Sequence, residues 1–571
     1  MRICGSCLFP HLCVQEGQDW HKKNLETCEI HSKPSKPPTA SPAILPSAQT
    51  QIDCPAIPAK RSITDLKVLL CHSPLPPTLP TNMNDEGQRQ LIDPTTEPLL
   101  HPSPTEKPSM LPLTISEIRK RIISASWPQA SVVACRLATD LTDVAILGHL
   151  GTDELAGSAF AGVVTTISSV VLWQGFGDAL ITLSSQAVGA GNPKLAGTWL
   201  QTSLLCCTVG SIPVCIIWWF AGDLLSFAPG VDEDVVHFAK LFARWSIIWL
   251  WPDACFGAFS QWLNGQQKVK PTIFINFIFV FVNAGLNYLL IFGIEGHFSG
   301  LGFIGSPIAT SITKILRGLC LIYYCISVRS LHVDCWGGWD RSSISKIRLK
   351  RFFAQAIPAA LVGLVEQAQF VFITIMISTI GEAELAAHSG MLNIFSLMSS
   401  AMYGLTDAGA STVGLLLGAG RNDLAKSASY VLLKLMFVMA VFVAILFIST
   451  HSIIGRIFSN DYEVIELSSS LALILSISYC LLSITFACFG TLQGQGRPHI
   501  AAVSMFFGLW GLSVPCAYLF GIKESLGLVG VWWGLVVGYS VMTFVMCGFV
   551  MKSDWVKLEE NARKRSEAPG T

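Results

Sequence analysis

The chain has 571 residues, of which 51% are hydrophobic and only 13% are charged, and its 38 basic and 38 acidic residues give a formal net charge of zero. Soluble globular proteins carry about 25% charged residues, so this chain has too few to cover the surface of a water-soluble protein of its size. A nucleic-acid-binding protein concentrates basic charge, and this total does not. The composition therefore indicates an integral membrane protein with many spans.

The first 112 residues differ from the rest of the chain. They contain more than half of the 29 prolines and few apolar runs, and proline removes a backbone donor and opposes helix formation. We therefore predict that residues 1–112 form a disordered, Pro-rich cytosolic leader. Cys4 and Cys7 form a CxxC pair, but no second pair follows at a regular spacing, so we predict no zinc site there and no metal site elsewhere.

Twelve apolar segments follow the leader, each long enough to cross a bilayer core of about 30 Å, which takes about 20 residues of helix. We therefore predict an all-α polytopic membrane protein with twelve transmembrane helices. Only short polar breaks separate the segments, so consecutive helices are expected to be antiparallel neighbours. The segments cover approximately residues 124–148, 155–186, 197–221, 236–263, 271–293, 300–327, 352–379, 385–416, 427–450, 464–491, 499–521 and 526–551.

The basic residues of the loops test this count. If the N-terminus lies in the cytosol, the six outer loops contain only Arg456 and Lys523, and all other loop Lys and Arg residues fall on the cytosolic side. Such a distribution obeys the positive-inside rule. A missed or extra helix would invert every later loop and mix the two groups. We therefore predict twelve spans with both termini cytosolic.

The two halves of the apolar region resemble each other. Short motifs of the first half recur in the second half in the same order and at a nearly constant separation, and Asp178 and Asp407 correspond at that separation. Each motif is weak alone, but a colinear set indicates an internal repeat. The matching pairs are Gly151-Thr-Asp-Glu-Leu-Ala-Gly157 with Gly381-Glu-Ala-Glu-Leu-Ala-Ala387, Gly189-Ala-Gly191 with Gly418-Ala-Gly420, and Asn264-Gly265-Gln266 with Gln493-Gly494-Gln495.

This repeat predicts two six-helix lobes related by a pseudo-twofold axis. Because six is even, both lobes have the same orientation in the membrane, and parallel repeats of this kind are a transporter architecture. We expect an N-lobe at 113–328 and a C-lobe at 352–552. A basic cytosolic linker at 329–351 joins them, and a short charged cytosolic tail follows at 553–571.

Several charged residues lie inside the predicted spans, where each costs about 2.5–3.5 kcal/mol on insertion scales. Arg136, Asp140 and Asp143 are spaced i, i+4, i+7 and share one helix face. We expect Arg136 and Asp140 to neutralise each other, which leaves Asp143 free to titrate. Glu366 lies in an otherwise uncharged stretch with no basic residue one turn away, and it is our preferred proton carrier.

The motifs Asp143-Val-Ala-Ile-Leu-Gly-His-Leu-Gly151, Gln186-Ala-Val-Gly189-Ala-Gly191 and Glu384-Leu-Ala-Ala-His388 resemble the multidrug and toxic compound extrusion (MATE) family of the eukaryotic type. The resemblance covers about residues 115–550. It implies an antiporter and not an enzyme. Such a protein exports organic solutes, xenobiotics or secondary metabolites, by alternating access between two lobes. It needs no cofactor. The coupling ion is expected to be H⁺, with Na⁺ as the second choice.

The resemblance also assigns roles to individual residues. The proton or cation coupling residues are expected to be Glu366, Asp143, Asn283 and Asn287, although interhelical hydrogen bonding alone would explain the two asparagines. The candidate cavity or gating residues are Asp140, Arg136, Asp178, Asp407 and His388. The chain departs from the family pattern in having no acid in residues 479–489 and in having Ile181 and Thr412 at two positions that relatives often charge.

Two alternatives stay open at this point. A flippase for lipid-linked oligosaccharides or polysaccharides has a similar two-bundle architecture, and embedded basic residues would suit its anionic substrate. A membrane enzyme is disfavoured because the spans lack HExxH and GxSxG motifs. We expect a monomeric transporter in the plasma or vacuolar membrane whose partners are an organic small molecule and the bilayer, without nucleic acid. The embedded basic residues are Arg136, Lys240, Arg244, Lys314 and Arg317.

Overall fold

A computed structural model of the protein describes residues 114–226, 232–294 and 297–567, so the predicted leader and its Cys4–Cys7 pair lie outside the described residues. Each of the twelve predicted segments forms one long helix, which confirms the all-α class. The helices are α1 Ile115–Leu147, α2 Thr152–Gly189, α3 Pro193–Trp219, α4 Glu233–Gly265, α5 Lys270–Phe292, α6 Gly302–Val328, α7 Lys346–Ser378, α8 Glu382–Gly418, α9 Asn422–Ile457, α10 Tyr462–Gly494, α11 Pro498–Lys523 and α12 Gly527–Met551.

Among the described residues, nine of these helices are long and apolar enough to cross a membrane by length and composition alone. The other three, α1, α4 and α8, carry polar or charged side chains in their central turns. In a many-helix bundle such side chains can face neighbouring helices and not lipid. The apolar criterion therefore misses the helices that carry the polar interior.

Helices α1 and α7 begin several residues before the predicted spans because their polar first turns are capped. The Thr114 side chain accepts from the Glu117 backbone N–H, and the Glu117 carboxylate accepts from the Thr114 N–H at 2.6 Å. At the start of α7, the Ser345 hydroxyl accepts from the Arg348 N–H at 3.4 Å. Such caps satisfy the free donors of a first turn, and a hydropathy pattern does not record them.

We call the face on which Thr114 lies the near face and the opposite one the far face. The near-face end of each half reaches into the other half. Ile118 and Ile122 of α1 lie in the buried cluster of the C-lobe, and Phe352 and Ala356 of α7 lie in that of the N-lobe. Helices α1 and α7 are the first helices of their respective halves. This exchange therefore confirms the two-lobe repeat, and it packs the lobes against each other near that face.

The repeated Gly-Ala-Gly motifs shape the near-face turns after α2 and α8. Their last glycines, Gly191 and Gly420, have φ values of 75° and 70°, a left-handed conformation that glycine adopts without steric cost. Their first glycines, Gly189 and Gly418, lie where α2 and α8 cross. A Cβ at Gly189 would overlap the backbone oxygen of Leu415, and one at Gly418 would overlap that of Gln186.

The linker and the tail both pack against the lobes. The linker is docked on α3, because Gln201 Nε2 donates to the Gly338 oxygen at 2.6 Å and Cys335 is buried. In the tail, a further helix, which we call α13, spans Trp555–Ser566. Asp554 caps it, and it buries residues spaced three or four apart, Trp555, Leu558, Ala562 and Ser566. The sequence analysis did not predict this helix.

Candidate functional site

The N-lobe holds a carboxylate surrounded by hydrogen-bond donors, which we call the N-lobe acid site and define as Asp143, Asn283, Asn287 and Thr310. Asp143 of α1 accepts from Asn287 Nδ2 at 2.8 Å with Oδ1 and from Thr310 Oγ1 at 2.9 Å with Oδ2. Asn283 Nδ2 donates to Thr310 Oγ1 at 3.3 Å, and Asn287 Nδ2 also reaches Asn283 Oδ1 at 3.2 Å. The two asparagine side chains are fully buried.

Three helices build this site. The two asparagines are one turn apart on α5, so both face α1, and Thr310 faces the same point from α6. The sequence analysis named the other three residues and missed Thr310. A signal was present, since Thr310, Lys314 and Arg317 are spaced i, i+4, i+7 and therefore share one face of α6.

An ion cluster lies further along that face of α6. Asp253 of α4 pairs with Lys314 at 3.2 Å and with Arg317, and its side chain is only 3% exposed. Arg317 Nη1 also donates to Asn276 Oδ1 at 3.0 Å, and the Lys314 ammonium lies over the Trp249 ring at 3.1 Å from its centroid. Buried charges that are paired and hydrogen-bonded hold helices in one arrangement, and both of these bases are occupied inside the lobe.

Arg136 and Asp140 do not form the ion pair that the sequence analysis expected. The Arg136 guanidinium lies over the Trp173 ring, 4.8 Å from its centroid, and both Arg136 and Asp140 are exposed at the protein surface. A cation–π contact at a partly solvated site competes with an i, i+4 pair, since each contributes less than about 1 kcal/mol. Trp173 lies in a π-helical turn, Val171–Gly175, that interrupts α2 at mid-depth.

Glu366 lies in a second and smaller acid site, in the C-lobe. Glu366 is 7% exposed, and its Oε1 accepts from the hydroxyl of Tyr403 on α8 at 2.9 Å. The Tyr403 ring packs edge-on against Phe486 of α10 at 5.1 Å, which fixes the hydroxyl toward Glu366. We call Glu366 and Tyr403 the C-lobe acid site. No basic residue pairs with Glu366 in the described part of the chain. The sequence analysis did not name Tyr403.

Asp178, which is buried, and Asp407, which is half-buried, lie in or beside the contact between the lobes. Gln261 of α4, in the N-lobe, donates to Asp407 Oδ2 at 3.4 Å, and Gln493 of α10, in the C-lobe, donates to the Asp178 backbone oxygen at 3.4 Å. Each acid is therefore next to an amide side chain of the opposite lobe. This position agrees with their correspondence in the sequence repeat, and their role in gating stays a prediction.

Amide and hydroxyl side chains join the lobes between these acids and the near face. Thr182 Oγ1 donates to the Gln493 backbone oxygen at 3.0 Å and Gln186 Nε2 to that of Gly494 at 2.9 Å. Gln267 Nε2 donates to Ser411 Oγ at 2.7 Å. We call these three contacts the near-face seal. The first two involve Gln186, Gln493 and Gly494 of the repeated motifs, so the repeat builds part of the contact between the lobes.

His388 lies away from both acid sites. Its side chain is 0% exposed, its Nε2 is 3.1 Å from Thr374 Oγ1, and its ring lies 5.7 Å from that of Trp532. These partners come from α7 and α12, so His388 packs inside the C-lobe.

No group of three or more His, Cys, Asp and Glu residues within 114–226, 232–294 and 297–567 is placed to hold a metal ion.

Comparison with known proteins identifies what this arrangement belongs to. A protein-family model described as MatE matches residues 128–289 and 358–519, one match in each lobe. The chain is 26% identical over 424 residues to mouse multidrug and toxin extrusion protein 2, covering 74% of this chain and 72% of that protein. It is 26% identical over 457 residues to Protein DETOXIFICATION 11 of Arabidopsis thaliana, covering 78% and 90%.

The solved structures give the same fold. The crystal structure of the eukaryotic MATE transporter AtDTX14 superposes with a TM-score of 0.73 at 24% identity, and the match covers 79% of this chain and all of that one. The twelve-helix, two-lobe fold is thus shared along nearly the whole described region. Because the family model matches more than half of the chain, this protein belongs to the MATE family of membrane transporters, which move small organic solutes and are not enzymes.

Proposed function

We propose that this transporter is a secondary active antiporter that exports organic solutes in exchange for protons, by alternating access between the two lobes. The observation that carries the proposal is the N-lobe acid site, a carboxylate that three helices surround with neutral donors. No Lys, Arg or His of the described residues lies within ion-pair distance of Asp143. A proton can therefore neutralise this carboxylate without breaking an ion pair.

The hydrogen bonds favour a proton over Na⁺ as the coupling ion. Both oxygens of Asp143 already accept, one from Asn287 and one from Thr310. A sodium ion needs several oxygen ligands pointing inward, whereas the Asn287 amide and the Thr310 hydroxyl point hydrogens at Asp143, so the amide would have to rotate before its oxygen could serve as a ligand. A proton needs only that one donor change its partner. Glu366 accepts from a single hydroxyl, that of Tyr403, so its other oxygen can take a proton without displacing a donor.

Four of the five embedded basic residues pair with a carboxylate, which supports solute export more than flipping of an anionic lipid; the fifth, Arg136, lies over the Trp173 ring. Lys240 and Arg244 pair with Asp223 at 2.5 Å and 3.7 Å. Lys314 and Arg317 pair with Asp253. A diphosphate-linked lipid would have to displace these acids, and above all Asp253, because a cation that is buried and already paired with a carboxylate has little charge left to offer. The solute itself can be cationic or anionic on this argument.

Transport in proteoliposomes tests the proposal. The purified chain should accumulate a dye against its concentration gradient when a proton gradient is the only driving force. Ethidium is the cationic probe and fluorescein the anionic one. One pH unit supplies about 1.4 kcal/mol per proton, so the dye should reach a concentration ratio of about 10 for each unit at one proton per dye. A protonophore should abolish the accumulation.

The ion gradients discriminate the alternatives in the same vesicles. A sodium gradient at equal pH on both sides should drive no accumulation. Accumulation under sodium alone would assign the coupling to Na⁺. A chain that scrambles a fluorescent lipid-linked sugar yet accumulates neither dye would be a flippase, and the proposal would be wrong.

We further propose that both termini face the cytosol of a cell whose plasma or vacuolar membrane holds the protein. The loops of the near face carry nearly all loop Lys and Arg residues, as the positive-inside rule requires of cytosolic loops. A cysteine introduced at Asp232, at the far-face start of α4, should react with an impermeant maleimide from the non-cytosolic side. A cysteine at Arg341, in the linker, should react only after permeabilisation.

The wild-type chain measures background labelling of its own cysteines in this experiment. Labelling of both introduced cysteines from one side would contradict the twelve-span topology. The reverse pattern, with Arg341→Cys labelled in intact cells, would invert the orientation and keep the span count.

A further inference from the structure

Helix α13 lies across the near-face ends of helices from both lobes, where it contacts α2, α8 and α9. Its apolar face, Trp555, Leu558 and Ala562, is buried. Glu559 fixes it in register, because Asn422 Nδ2 at the start of α9 donates to Glu559 Oε2 at 2.5 Å. A charged tail that only kept the protein soluble would not need these contacts.

Arg565, in the last turn of α13, touches both lobes at once. Its Nε donates to Gln186 Oε1 of α2 at 2.9 Å, and its Nη2 donates to the Gln495 backbone oxygen at the end of α10, also at 2.9 Å. Nη1 reaches the Gly496 oxygen at 3.5 Å. Gln186 belongs to the N-lobe and the other two residues to the C-lobe, so one guanidinium bridges the two halves of the protein.

The bridge also orients a residue of the near-face seal. Gln186 accepts from Arg565 with Oε1 and donates to the Gly494 oxygen with Nε2. Because the guanidinium can only donate, it selects the amide orientation in which Nε2 points at the C-lobe. Arg565 is therefore a positioning residue for the seal as well as a direct link.

Its charge is held only by neutral oxygens. Among the described residues, no carboxylate lies within ion-pair distance of Arg565. Burial and the neighbouring Arg351 lower the pKa of Arg565 to about 10, so it stays a cation at neutral pH. Its neighbours on α13 differ, since Arg563 pairs with Glu567 at 3.3 Å and Lys564 with Glu560 at 2.7 Å, both exposed.

We propose that α13 is a latch that stabilises the state closed at the near face, with Arg565 as the residue that joins Gln186 of the N-lobe to Gln495 and Gly496 of the C-lobe. The inference rests on the proposed alternating access. Opening the near face separates the oxygens that surround the guanidinium, so Arg565 must leave at least one lobe before a solute can enter from that side. The latch thus sets how often the transporter faces the side on which α13 lies.

Hydrogen–deuterium exchange on the full chain in lipid nanodiscs tests the latch. Arg565→Gln should raise exchange in near-face peptides covering 182–191, 411–420 and 491–497, and lower it in far-face peptides covering 147–155 and 378–386. Charge-assisted hydrogen bonds contribute enough that we expect a change of about 10-fold or more in the near-face rates. Lys564→Gln, which removes one exposed charge of the same helix, should change neither set.

The reciprocal pattern separates a latch from a merely structural contact. Equal increases on both faces would mean that Arg565 only stabilises the fold, and unchanged exchange would mean that it holds nothing; either result overturns the proposal. Arg565→Lys keeps the charge but loses the planar guanidinium that donates to both lobes at once. Its near-face exchange should therefore fall between those of wild type and Arg565→Gln. This measurement does not depend on dye accumulation, so an error in the coupling ion or the solute would not affect the latch proposal. A wild-type chain that never alternates between its two states would contradict both the latch and the proposed function.

Discussion

Replacing Glu366 with Gln is expected to abolish proton-driven accumulation while leaving the folded protein intact. Gln has the same shape and can still accept from the Tyr403 hydroxyl, which lies 2.9 Å from the native Oε1. It has no proton to exchange. A gradient of one pH unit supplies about 1.4 kcal/mol per proton, and none of it can be used unless a group on the moving lobes alternates between its charged and neutral forms.

Asp143→Asn applies the same test to the N-lobe. The variant keeps a neutral acceptor for Thr310 and loses the titratable carboxylate. Both variants should still bind dye, so downhill exchange at equal pH should persist while uphill accumulation falls to the level of empty vesicles. Glu382→Gln, in the exposed first turn of α8, is the matched control and should accumulate dye as wild type does.

The two acids can be ranked by the outcome. If Asp143→Asn loses accumulation and Glu366→Gln retains it, the N-lobe acid site couples alone and the preference for Glu366 is wrong. If both pump normally, neither site couples, and Asp178 and Asp407 become the candidates. Equal amounts of folded protein must be reconstituted, since Asp143 also holds α1 against α5 and α6.

The sequence predicted the helices better than their contacts. Hydropathy locates a span because the apolar core of the bilayer requires a run of apolar residues. The repeated motifs locate the two lobes. Asn283 and Asn287 could be placed beside each other from their spacing, since one turn separates them. The spacing of Thr310 from Lys314 marks a polar face of α6, but neither Thr310 nor Tyr403 could be assigned to an acid. Each reaches the acid from another helix, and no spacing along the chain encodes which helices cross.

Helix α13 shows a second limit of the sequence. Half of its residues are charged, and only Trp555, Leu558 and Ala562 mark an apolar buried face. That pattern is too short to distinguish a docked helix from a solvated tail, because a twelve-residue helix is marginal without a surface to pack on. The surface is formed by helices hundreds of residues earlier, so the partner of Arg565 on α2 is visible only in the folded protein.

Replacing Gly418 with Ala is expected to hold the near face open. A Cβ there would overlap the Gln186 backbone oxygen at the crossing of α2 and α8, while α8 as an isolated helix would gain from the change, since Ala is the better helix former. Overpacking costs about 1–3 kcal/mol, which lowers the closed-to-open ratio about 5- to 150-fold. Gly189→Ala, which meets the Leu415 oxygen from the other side, should act in the same way.

The measurement combines dye turnover with exchange at the near face. Turnover should fall in both variants, because a transporter that rarely closes one side cannot complete its cycle, while near-face peptides exchange faster and far-face peptides more slowly. Gly548→Ala is the control, since a Cβ at Gly548 on α12 meets nothing within 4 Å. Normal turnover and exchange in Gly418→Ala would show that α2 and α8 need not approach so closely for the lobes to close. The Gly-Ala-Gly motif would then serve only to end each helix, through the left-handed Gly191 and Gly420.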